Sequence, residues 1–163
     1  MEGLSALLAC STRLAEAAYA ESEIRIFLNS SFYGDFSESE KSRILKTKVS
    51  AERNPWFGTS GGGKTEDYLF LLSVQEVSMY FGGSGRLAKN PRDLFFIDDA
   101  YNKNRQAFDN EEKPVWWWLR TPGIGRDFAC IVHQDGRICL SGYCVDEASY
   151  GGGGIRPAMW VTA

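Results

Sequence analysis

Gly58-Thr59-Ser60-Gly61-Gly62-Gly63-Lys64-Thr65 satisfies every position of the phosphate-loop pattern Gly-x4-Gly-Lys-Ser/Thr. In that chemistry backbone N–H groups and a helix N-terminus converge on phosphate, and the lysine neutralises its charge. Leu94-Phe95-Phe96-Ile97 running into Asp98 and Asp99 would supply the apolar strand and magnesium-binding acid of a nucleotidase. The flanks argue against that chemistry. Asn54-Pro55-Trp56-Phe57 precedes the loop, and a proline cannot donate to the central strand that such a loop must follow. Glu66 and Asp67 put two carboxylates where phosphate would dock, and the apolar run 68–72 behind them reads as strand rather than helix. The rest of the chain lacks the alternating βα units of a doubly wound sheet. The expectation is a glycine-rich surface loop without a phosphate site.

Thiol and imidazole chemistry are the other candidates. Cys10, Cys130, Cys139 and Cys144 show no Cys-x-x-Cys spacing, and His133 is the one histidine, so a zinc site would lack ligands. The cysteines read as structural thiols, and His133 has no Ser or Cys partner at defined spacing. No metal and no cofactor are expected.

These residues sit in 163 positions, a length that suits one domain. The net charge is -3, from 18 basic and 21 acidic residues, and no Lys/Arg block lies beside an aromatic stripe, which argues against nucleic acid as a partner. Leu7-Leu8-Ala9-Cys10 faintly resembles a lipoprotein cleavage site, but Met1-Glu2 is not basic and the apolar run is short. Neither a signal peptide nor a membrane span is expected, which leaves cell-surface or virion exposure dependent on another export route.

Residues 3–20 read as an amphipathic first helix through Leu4, Leu7, Leu8, Ala15 and Ala18. Ser22 should cap a second helix ending near Asn29, and Ser37 with Glu40 a third running through Ile44 and Leu45. Residues 46–50 and 68–72 read as strands, 74–81 as a short helix, and 82–110 as a long irregular excursion. From Val115 the pattern turns to β: Trp116-Trp117-Trp118-Leu119-Arg120, then 128–133, an Asp135-Gly136 turn of type I′, 138–141, and a last strand over 155–161.

Taken in order, Thr65-Glu66-Asp67, Phe70-Leu71-Leu72-Ser73 with Glu76, Trp117-Trp118-Leu119-Arg120, Asp135-Gly136 and Gly154-Ile155-Arg156-Pro157-Ala158-Met159-Trp160 resemble a microbial domain-of-unknown-function family with a C-type-lectin-like fold. The family is similar in its closing strand to formylglycine-generating-enzyme domains, and its members resemble the variable proteins of diversity-generating retroelements. The resemblance covers residues 21–163. It implies a single α+β domain with N-terminal helices packed on antiparallel sheet, long loops, and first and last strands close together. Trp117, Trp118, Leu119, Arg120, Gly136, Gly142, Arg156, Pro157 and Trp160 would be scaffold. The ligand-binding display positions would be Arg126, Asp127, Phe128, Cys130, His133, Gln134, Arg137, Cys139, Tyr143, Cys144, Glu147 and Tyr150.

Independently of the resemblance, aromatics and arginines are the residue types that anchor recognition surfaces. The plainer reading of the same hairpin is an edge sheet with mixed faces. The calcium-binding Glu-Pro-Asn or Gln-Pro-Asp of true C-type lectins is missing, so calcium-dependent sugar binding is not implied. In formylglycine-generating enzymes a cysteine pair works through copper, yet nothing around Cys130, Cys139 or Cys144 marks a depressed thiol pKa. The functional expectation is a non-enzymatic domain that binds a protein or other surface ligand, with an oxidase of that type, or the nucleotidase, as the alternative. Arg156 is expected against carboxylates or carbonyls, and Trp117, Trp118 and Trp160 beneath the display face.

Overall fold

The computed structural model describes residues 19–89, 95–145 and 153–162; most of the expected first helix lies outside them. Local capping chemistry sets the helices. Ser22 follows a 3-10 turn, Tyr19–Glu21, and caps α1 (Glu23–Phe27), its hydroxyl accepting from the Arg25 N–H. The helix does not end near Asn29, because a π-helical turn, Leu28–Phe32, carries it on. Asn29 is committed to a tertiary contact instead of a cap: its amide donates to the Leu69 carbonyl (2.8 Å) and accepts from the Tyr68 N–H (2.7 Å). Ser37 and Glu40 form the expected capping box of α2 (Glu38–Lys41). Ser73 and Glu76 form another at the start of α3 (Val74–Phe81), where the helical pattern places it. The last helix, α4 (Asn102–Arg105), lies in the long excursion.

The strands are short: β1 (Ile44–Leu45), β2 (Thr47–Ser50), β3 (Lys64–Asp67), β4 (Phe70–Leu71), β5 (Phe96–Ile97), β6 (Ala107–Phe108), β7 (Pro114–Val115), β8 (Trp117–Pro122), β9 (Phe128–Val132), β10 (Ile138–Cys144), β11 (Pro157–Ala158) and β12 (Trp160–Val161). One four-stranded antiparallel sheet runs β5-β10-β9-β8, and β2–β3, β4–β11, β1–β12 and β6–β7 form two-stranded antiparallel pairs. The chain is therefore mixed α+β. Ile44 and Leu45, expected in a helix, form the first strand and pair with the last, Ile44 opposite Val161 and Leu45 opposite Trp160. Residues 69–72 are buried throughout as the apolar run implies, yet only two of them form strand, since the chain turns at once into the Ser73 cap.

The core lies between the inner face of the four-stranded sheet and the helices. Trp117, Leu119, Cys130, Val132, Ile138 and Leu140 meet Ile24, Leu28, Val74 and Val77, all 1% exposed or less. Ion pairs tie the surrounding elements to this core. The Arg120 guanidinium forms two bonds with the Glu76 carboxylate, which also accepts from the Ser73 N–H, and donates to the carbonyls of Leu71 and Ser50. Arg25 bonds the fully buried Asp67 at 2.8 Å, and Arg105 bonds Asp99 at 2.9 Å, tying the segment after β5 to the end of α4.

Two scaffold expectations change. Arg156 is only partly buried and meets no carboxylate among the described residues; its guanidinium sits over the rings of Phe81 (4.6 Å) and Trp117 (5.2 Å). Trp160 is not beneath the sheet: it is 50% exposed and packs edge-on against Tyr80, because pairing with β1 takes β12 to the periphery. Among the described residues no helix is long and apolar enough to cross a membrane.

Candidate functional site

The β9–β10 hairpin forms where the sequence puts it, with a different turn. His133 N–H donates to the Arg137 carbonyl and Gly136 N–H to the His133 carbonyl, both at 2.8 Å, enclosing Gln134-Asp135-Gly136. Only Gly136 has positive φ (84°), so this is a three-residue loop closed by a left-handed glycine and not the two-residue type I′ turn. A side chain at Gly136 would also strike the Asn102 carbonyl, since the tip packs on α4. Asp135 accepts from the Arg137 N–H and guanidinium and lies 3.1 Å from His133 Nδ1. Partial burial acts to raise its pKa, and these bonds outweigh it and hold the carboxyl below its ordinary value.

Strand alternation divides the candidate residues between two faces. On the outer face, Arg137 lies over the Phe96 ring (4.8 Å), His133 meets the same ring edge-on, and Tyr143 packs edge-on against Trp116 (5.3 Å). Trp118 is half-buried and packs against both the main core and the outer layer, where it meets Trp116 at 4.9 Å, while Trp117 is fully buried in the core. Cys139 is on the outer face but 1% exposed beneath its neighbours, and Cys130 is on the inner face at 0%. Neither cysteine is a display position: the tight aromatic layer and the core close over them. Burial pushes both thiols up, Cys130 well above the usual range, the reverse of what a reactive thiolate needs. Arg126, Asp127 and Gln134 are exposed; Phe128, His133, Arg137, Tyr143 and Cys144 are half-buried. Glu147 and Tyr150 lie outside the described residues.

At the far end of the hairpin the register slips. Ala129 pairs with both Tyr143 and Pro122 after shifts in β10 and β8, and Gly142 sits in the bulge at φ 75°. Residues beside these shifts border a cleft of about 300 Å³. Leu71, Trp118 and Leu119 line it together with Phe128 and Arg126, and the glycine-rich residues 60–62 form another part of its wall. Those glycines answer to packing. A side chain at Gly61 would lie 2.1 Å from the Ala51 carbonyl, and Lys64 opens a strand, so no helix N-terminus follows the loop. The loop is the non-phosphate geometry that Pro55 and Glu66 suggest.

Asn54 pins that wall. Its buried amide donates to the carbonyls of Pro122 (2.7 Å) and Leu140 (2.8 Å) and accepts from the N–H groups of Trp56 and Phe57. The Asn-Pro dipeptide signalled a local turn; the long-range half of the network had no signal in the sequence. Cleft and outer face together gather Arg126 and Phe128 at one end of the hairpin and His133 and Arg137 at the other.

A family model described as Domain of unknown function (DUF6273) matches residues 9–163. No curated protein and no solved structure matches the chain.

Proposed function

This chain belongs to the DUF6273 family, and from that premise we propose that it is a ligand-binding display domain of C-type-lectin-like architecture, the variable receptor of a diversity-generating retroelement. The single observation that carries the reading is the cleft beside the register shifts of β8, β9 and β10, bordered by Arg126 and Phe128. An arginine without a bond among the described residues, aromatic walls and a rigid hydrogen-bonded frame are the ingredients of a preformed recognition site. The antiparallel C-terminal sheet and the pairing of first with last strand support the fold part of the proposal. The buried thiols give the oxidase alternative no support, and the strand after Lys64 gives the nucleotidase none.

The test is a panning experiment. The immobilised protein is exposed to random peptide and protein-fragment libraries, and binders are re-measured against Arg126→Ala, Phe128→Ala, Gln134→Ala and Arg137→Ala. At least one substitution is expected to weaken the binder by more than about 1 kcal/mol with the unfolding midpoint held. Binders indifferent to all four would move the recognition surface elsewhere. The retroelement part predicts a neighbouring reverse transcriptase gene and an adenine-rich near-repeat of the 3′ coding end; a gene neighbourhood with neither removes it.

A further inference from the structure

The cleft is rich in uncommitted donors. The backbone N–H groups of Ser60, Gly61 and Gly62 and the Ser60 hydroxyl bond to no described group, and neither does the Arg126 guanidinium. Three other polar side chains of the lining are engaged. Arg120 is saturated by Glu76 and two carbonyls, Tyr19 Oη accepts from the Leu71 N–H, and Ser22 Oγ donates to the Tyr19 carbonyl. Glu21 is the one carboxylate on the lining, exposed on the side formed by residues 19–22. A row of unpaired donors beside one cation is chemistry for an anion, and the floor of Leu71, Trp118 and Leu119 is chemistry for an apolar group attached to it.

The anion that fits is singly charged. No helix N-terminus faces the cleft from the glycine loop, and Lys64 is not part of the lining, so one guanidinium and neutral N–H groups must suffice. Resting on the reading of the cleft as the recognition site, we propose that it takes the C-terminal end of a peptide chain. The terminal carboxylate lies on the N–H groups of residues 60–62 and on Arg126, and the last side chain, large and apolar, fills the space beside Trp118 and Phe128. This is carboxylate capture by a backbone donor row, a recurring mode of peptide recognition. Glu21 remains to accept from the N–H groups that a chain brings and a lone carboxylic acid does not.

The probes are an N-terminally fluorescein-labelled hexapeptide ending in free Phe, the same peptide as its C-terminal amide, the same peptide ending in Ala, and N-acetylphenylalanine as competitor, read by anisotropy. The free-acid Phe peptide is expected to bind at least tenfold tighter than the amide and the Ala-ended peptide. Arg126→Gln, an exposed position, should abolish the preference for acid over amide without moving the melting temperature. Equal binding of acid and amide overturns the proposal, as does an absence of saturable binding up to millimolar peptide for chains ending in Phe, Leu and Trp. Competition by N-acetylphenylalanine at the same concentration as unlabelled peptide also overturns it, in favour of a small carboxylate. Library binders that depend on Phe128 but are not displaced by the Phe peptide sink this inference and leave the broader reading standing; binders indifferent to Arg126, Phe128, Gln134 and Arg137 alike sink both.

Discussion

At the scale of single residues, two arginines close to the core do opposite things. Arg120 satisfies its guanidinium with Glu76 and two carbonyls, so removing it would strand buried acceptors. Arg156 lies on aromatic faces with Nη1 buried and unpartnered, and burial lowers its pKa. Its contribution is packing and ring attraction offset by desolvation. Arg156→Met is therefore expected to stay within about 1 kcal/mol of the parent in urea titration, while Arg156→Ala costs about 1–3 kcal/mol through the space it empties. A Met variant as unstable as the Ala variant would show the charge itself to be required. Asn54→Ala is expected to cost about 2–4 kcal/mol, because the carbonyls of Pro122 and Leu140 lose a buried donor, and two N–H groups lose an acceptor. Asn54→Asp should be no milder, since a carboxylate cannot donate to those carbonyls.

At the scale of elements, local signals decided local outcomes. Ser37 with Glu40 is a capping box in the sequence and in the structure, and the structure adds Ser73 with Glu76, because every partner lies within three residues. The same capping signal predicts a helix on through Ile44 and Leu45; that helical spacing competes with a strand partner more than a hundred residues away, and pairing with β12 wins. Within the 82–110 excursion Asp99 ties Ser84, Tyr101 and Arg105 together. Burial acts to raise the Asp99 pKa, and bonds from Arg105, Ser84 and the Tyr101 N–H outweigh it and hold it low. A carboxyl depressed in the folded state contributes stability that is present above its unfolded value of about 4 and lost as pH falls through the folded one. Stability should therefore decline below about pH 4, and Asp99→Asn should be less stable at pH 7 but flatter between pH 5 and 2. A variant with the parental slope would assign the acid sensitivity to other carboxylates.

At the scale of the whole molecule, the paired first and last strands make the end of the chain part of the fold. Deleting residues 160–163 removes the partner of β1 and uncovers Ile44, which is 6% exposed, and is expected to cost about 2 kcal/mol or more in urea titration. Trp160→Ala should cost less than about 1 kcal/mol, because half the ring already faces solvent. Equal losses from the two changes would mean that the indole, and not the pairing, holds the end in place. The sequence by itself determined the α+β class, the caps, the buried run 69–72, the position of the β9–β10 hairpin and the failure of Gly58-Thr59-Ser60-Gly61-Gly62-Gly63-Lys64-Thr65 as a phosphate loop. Each of these depends on hydrogen bonds or periodicity within a few residues. Only the tertiary structure decided that Trp117 is fully buried while Trp118 bridges the core and the outer layer, that Cys130 and Cys139 are buried, and that residues 60–62 share a cleft with Arg126. Register and strand pairing fix those outcomes, and both are set by burial between segments far apart in the chain, where a one-residue shift exchanges the faces.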